Sequence, residues 1–130
     1  MEEQITTACS ALSTSIGTVK LQFSDKEIKQ INLSGKKEQT AIVEIRFEKT
    51  TLTCMFNHRN ICCAVYLFFD NQNDICEYIA YCDQTYKYDN ELYSWINNNC
   101  YIWLYIENEM PNIVFSSLKP LRGCLILDNL

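Results

Sequence analysis

The sequence predicts an α+β fold: a predominantly antiparallel, curved β-sheet of about six or seven strands in a meander, with one or two short helices on one face. Three observations predict it. Apolar and polar residues alternate with the period of a strand in several separate stretches. Polar links of a few residues divide these stretches, a length that joins antiparallel neighbours. The run Ile61-Cys62-Cys63-Ala64-Val65-Tyr66-Leu67-Phe68-Phe69 is apolar without a break between Asn60 and Asp70, which predicts a central strand covered on both faces.

Taken in order, Glu3 to Leu12 places Ile5, Ala8, Cys9 and Leu12 at helical spacing, with Glu2 and Glu3 suited to a helix N-terminus. Ser13-Thr14-Ser15 breaks that pattern. From Thr18 to Ser24, Val19, Leu21 and Phe23 alternate with polar neighbours and predict a strand with one wet face. Ile28 to Leu33 predicts a weaker strand that ends in a turn at Ser34-Gly35. Ala41 to Phe47 and Leu52 to Phe56 predict a hairpin across the polar link Glu48-Lys49-Thr50. His58-Arg59-Asn60 then turns the chain into the central strand.

Asp70 to Asp74 reads as a polar loop, and Ile75 to Cys82 as the strand that returns from it. Asp89 or Asn90 can cap a helix whose Leu92, Trp95 and Ile96 line one side, ended by Asn97-Asn98-Asn99. Cys100 to Glu107 predicts a strand with Cys100, Ile102, Leu104 and Ile106 on one face and Tyr101, Trp103 and Tyr105 on the other. Met110-Pro111 closes it. Ile113 to Leu118 predicts an edge strand, Lys119 to Gly123 a loop, and Cys124 to Leu127 a last apolar strand or a packed tail.

A length of 130 residues with three glycines and two prolines leaves no room for long linkers, so one domain is expected over 1–130. The formal charge of -5 argues against direct nucleic-acid binding or an anionic membrane surface, since both demand a basic face. Eight cysteines would suggest a disulfide scaffold in a small secreted chain. Met1-Glu2-Glu3-Gln4 opens no secretory signal, and most of these cysteines sit in apolar runs. They are therefore expected as reduced core thiols of a cytoplasmic protein. No apolar run is long enough to span a bilayer as a helix.

Motifs that would name a reaction are absent. No phosphate loop, dinucleotide fingerprint or helical His-Glu-x-x-His occurs. Cys54, His58, Cys62 and Cys63 are the one group with metal-like ligands, and Cys54, His58 and Cys62 could alternatively serve a small metal- or thiol-dependent enzyme. Against this, no Cys-x-x-Cys knuckle is present, and Cys62 and Cys63 point to opposite faces of a regular strand. No cofactor is expected.

The most informative stretch mixes aromatic and acidic residues between Asp70 and Glu109. Tyrosine and tryptophan supply large contact area at low entropic cost, and carboxylates steer a basic partner. Asp74, Glu77, Tyr78, Asp83, Tyr86, Tyr88, Asp89, Glu91, Tyr93, Tyr101, Trp103 and Tyr105 are therefore the candidate partner-binding residues. The competing reading is that half of these rings cap the core. The function expected is a small acidic inhibitor of a basic macromolecule, foremost an immunity protein against a bacterial toxin, with a nuclease as the expected toxin. A phage or viral inhibitor of a host nuclease or defence complex is the alternative.

Overall fold

The computed structural model describes residues 1–32 and 39–119, so the expected turn at Ser34-Gly35 and the expected strand at Cys124 to Leu127 lie outside the described residues. In chain order the elements are α1 (Glu2–Ala11), α2 (Ile16–Gln22), β1 (Glu27–Asn32), β2 (Gln39–Arg46), β3 (Thr50–Asn57) and β4 (Cys62–Phe69). There follow α3 (Ile75–Thr85), β5 (Lys87–Asp89), β6 (Ser94–Asn97), β7 (Cys100–Glu107) and β8 (Met110–Ser116). A 3-10 turn at Gln72–Asp74 leads into α3.

All eight strands join one antiparallel sheet in the order β1-β2-β3-β4-β8-β7-β6-β5. The α+β class holds, while the strand number exceeds the six or seven expected. The sheet is also not one simple meander. Two four-stranded meanders meet where Ala64–Leu67 of β4 pair with Ser116–Ile113 of β8, and α3 carries the chain between them to the far edge at β5. The stretch expected as an edge strand is thus β8, in the interior of the sheet.

Three local readings are corrected. Thr18 to Ser24 belongs mostly to α2, because Ser15 caps it by accepting from the Thr18 backbone N–H. Val19 and Phe23, four apart, are buried there, while Leu21 between them is 78% exposed. Ile75 to Cys82 is helix, with Ile75, Tyr78 and Cys82 facing inward at helical spacing. The expected helix from Asp89 is instead the β5–β6 hairpin, in which Tyr88 lies opposite Trp95. Asp89 Oδ1 accepts from the backbone N–H groups of Glu91 and Leu92 and so builds a turn where a helix was expected.

The core lies between one sheet face and the helices. Ile5, Ala8 and Ala11 of α1, Val19 of α2 and Ile75 and Cys82 of α3 pack with Val43, Ile45, Leu52, Phe56, Val65, Leu67, Ile102, Ile113 and Phe115. The central strand is buried on that face, whereas Ala64, Tyr66 and Phe68 on the other are only half-buried, so its two faces are unequal.

Cys9 of α1 and Cys100 at the start of β7 form a disulfide, with Cα atoms 5.7 Å apart. This corrects the expectation that all cysteines are reduced. Two cysteines 91 residues apart in sequence meet because α1 lies across the sheet, a proximity that no local pattern encodes. Among the described residues Cys54, Cys62, Cys76 and Cys82 are free thiols. No described helix is long and apolar enough to cross a membrane.

Candidate binding surface

The candidate residues fall into three places. Asp74, Glu77, Tyr78 and Asp83 sit on or beside α3. Tyr78 points inward: its ring meets Phe69 edge-on at 4.9 Å, and its hydroxyl bonds Gln4 Oε1, which also accepts from Thr50 Oγ1 at 3.2 Å. Burial, reinforced by Asp74 and Glu77, pushes the Tyr78 phenol above its usual range. Tyr78 is therefore a core anchor of α3, and Glu77 and Asp83 remain exposed around it.

The last turn of α3 and the β5–β6 hairpin form an aromatic corner. Asp83 Oδ1 accepts from Trp95 Nε1 at 2.8 Å, and Tyr88 packs edge-on against Trp95 at 5.4 Å. Tyr86 meets Tyr81 at 6.1 Å, and burial together with Tyr81 raises its phenol to about 12. Burial, then Asp83, raises the Cys82 thiol beneath them to about 12 as well. Asp83 is thus held in place by an indole while its outer side faces water.

Beyond this corner, Asp89 and Glu91 lie in the β5–β6 turn with Tyr93, which is 57% exposed. The register that pairs Trp95 with Ile102 carries this turn to the end of the sheet where Leu104 and Ile106 emerge. Leu104 and Ile106 share the core face with Ile102, yet Ile106 is 68% exposed because the strand outruns the helices that cover that face. Met110, also exposed, follows the tight turn Asn108-Glu109, whose two positive φ angles give a primed hairpin turn. The side chain of Gln72 reaches Met110, which brings the start of α3, with Asp74 and Glu77, to the same end.

Tyr101, Trp103 and Tyr105 do not join this group. They alternate with Ile102 and project from the opposite, helix-free face, where Tyr105 meets Tyr66 edge-on at 6.2 Å and Trp103 is buried. Leu104, Ile106 and Met110, in turn, were missed by sequence reasoning. Leu104 and Ile106 carry the same periodicity as Ile102, and nothing in one strand's pattern tells where its helix cover stops.

Cys54 and Cys62 face one another in the core, because an irregularity between Met55 and Phe56 brings Cys62 opposite Phe56. Their mutual hydrogen bond and their burial hold the Cys54 thiol protonated far above its usual range. His58 lies exposed in the β3–β4 turn. Among the described residues no three His, Cys, Asp or Glu side chains gather into a metal-binding group.

Comparison with known protein families, with curated proteins and with solved structures finds no match for this chain.

Proposed function

We propose that this chain is a small acidic binding protein that inhibits a basic macromolecule, and specifically an immunity protein that neutralises a basic bacterial toxin, with a nuclease as the favoured target, in the cytoplasm. One observation carries the proposal. At the end of the sheet where the β5–β6 and β7–β8 turns stand, Tyr93, Leu104, Ile106 and Met110 are exposed beside Asp74, Glu77, Asp89, Glu91 and Glu109. From Asp70 to Lys119 eight carboxylates face only two lysines or arginines, Lys87 and Lys119.

Exposed apolar side chains supply the surface that binding removes from water, and the carboxylates around them attract a cationic partner and speed its approach. A nuclease presents such cations because it must hold phosphates. The proposal is tested by mixing the purified chain with the candidate toxin encoded beside its gene. A complex whose association slows as salt rises, and whose dissociation constant grows at least tenfold in Ile106→Asp and in Glu91→Lys, is the expected result. Absence of a complex at micromolar concentration, or a complex indifferent to both substitutions, overturns it.

A further inference from the structure

A strand between two antiparallel neighbours spends its backbone in alternation, one residue turning its N–H and C=O to one side and the next residue to the other. The two-residue turn Asn108-Glu109 makes Glu107 and Met110 the closing pair of the β7–β8 hairpin, which exchanges both hydrogen bonds. The register runs unbroken back from that pair, so Tyr105, Trp103 and Tyr101 also spend their backbone groups on β8. Cys100, Ile102, Leu104 and Ile106 face the other way, toward β6. The turn at Asn98-Asn99 gives the same assignment from its own end, because it makes Asn97 and Cys100 a closing pair.

β6 is too short to use all of them. It pairs with β7 only from Cys100 to Ile102, and two residues further on Tyr93, which would stand opposite Leu104, has a φ of 52° and takes the chain into the β5–β6 turn. Leu104 and Ile106 therefore turn two N–H and two C=O groups to an edge that no strand occupies among the described residues. Their side chains are 40% and 68% exposed at the same place. Such an edge is a template for another strand, and proteins commonly blunt it with lysine, proline or a bulge. β7 has none of the three.

We propose that an extended segment of the basic partner adds to this edge as an antiparallel strand, continuing the line of β6 alongside Leu104 and Ile106. This rests on the reading of this end of the sheet as the partner site, and it names the element that the partner brings. The open backbone groups supply main-chain hydrogen bonds, and the exposed Leu104 and Ile106 select apolar side chains at every second position of the incoming strand. Asp89 and Glu91 in the neighbouring turn and Glu109 beyond the end of β7 favour lysine or arginine in the positions between. Alternation of that kind is the recognition signal.

The probe is the capped peptide acetyl-Lys-Val-Lys-Val-Lys-Val-Lys-amide, added to the full, unmutated chain and read by amide hydrogen exchange in NMR spectra. Without peptide, the Leu104 and Ile106 amides are expected to exchange about tenfold or more faster than those of Trp103 and Tyr105. Millimolar peptide is expected to slow both by a similar factor. In an antiparallel addition the valines stand opposite Leu104 and Ile106 and share their hydrogen bonds, so methylating the valine nitrogens should abolish the protection and methylating the lysine backbone nitrogens should not. No slowing at millimolar peptide overturns the proposal, as does slowing that survives methylated valines. Protection of the two amides without peptide, accompanied by a dimer in sedimentation, overturns it in favour of a second copy. The same spectra of the toxin complex separate this proposal from the reading it rests on. A complex that is lost in Ile106→Asp yet leaves both amides fast sinks the strand addition and keeps the inhibitor, whereas peptide protection without any toxin complex does the reverse.

Discussion

Arg46 shows how much a single side chain can organise. Its guanidinium takes both oxygens of Asp70, with Nη1–Oδ1 at 2.8 Å, and also donates to Thr51 Oγ1 and Glu48 O, so β2 is tied to the loop that leaves the central strand. The hydrogen bond from Arg46 holds the Asp70 carboxyl below the usual aspartate range. A depressed folded value means that the pair stabilises fully above the ordinary aspartate pKa and stops doing so as pH falls through the lowered one. Asp70→Asn should therefore lower the melting temperature at neutral pH. A pH series should show the gap to the unmutated chain closing in acid, beginning below the ordinary range. Tyr93 makes a second case at this scale. Its φ of 52° is a left-handed conformation that costs a residue with a Cβ about 1 kcal/mol. Tyr93→Gly should raise the urea midpoint while weakening partner binding, and the opposite signs separate the residue's folding role from its contact role.

Among the elements, those with one dry and one wet face were legible, and those whose face is decided from elsewhere were not. Ala41, Val43 and Ile45 against Glu44 and Arg46 announce β2 directly, and Ile5 and Ala8 announce α1. In α2 the alternation of Val19, Leu21 and Phe23 imitates a strand. The deciding group is Ser15, three residues before Thr18, whose hydroxyl caps the helix. Ser15→Ala should accordingly cost about 1 kcal/mol, measurable by urea denaturation. In α3 the apolar residues Ile75, Tyr78, Ile79 and Cys82 are dense enough to hide their helical period. Between Tyr88 and Trp95, seven residues apart, a helix and a four-residue hairpin bring the same two rings together, and Asp89 settles the matter by folding its carboxylate onto the turn. The candidate site shares this history. Asp83, Tyr88 and Glu91 stand out by composition, while Ile106 shares a face with Ile102 and nothing in the strand marks it as exposed, because helix cover is a tertiary property.

At the level of the whole molecule, the Cys9–Cys100 disulfide links the first helix to the second meander across 91 residues of sequence. In the chain-entropy view a closure of that length stabilises by about 4.5 kcal/mol, so reduction or Cys9→Ser should lower the melting temperature sharply in a reductant titration followed by calorimetry. The buried pair Cys54 and Cys62 should resist alkylation in the native state. The seam between β4 and β8 has its own consequence. Each half of the sheet is a continuous stretch of chain, joined to the other through the exposed segment Asp70 to Asn73. A protease that nicks there should yield two pieces that stay assembled edge to edge and still co-migrate on a denaturing gel. They should part only when a thiol reagent cuts the covalent tether, which makes this chain a ready scaffold for a reductant-gated split reporter.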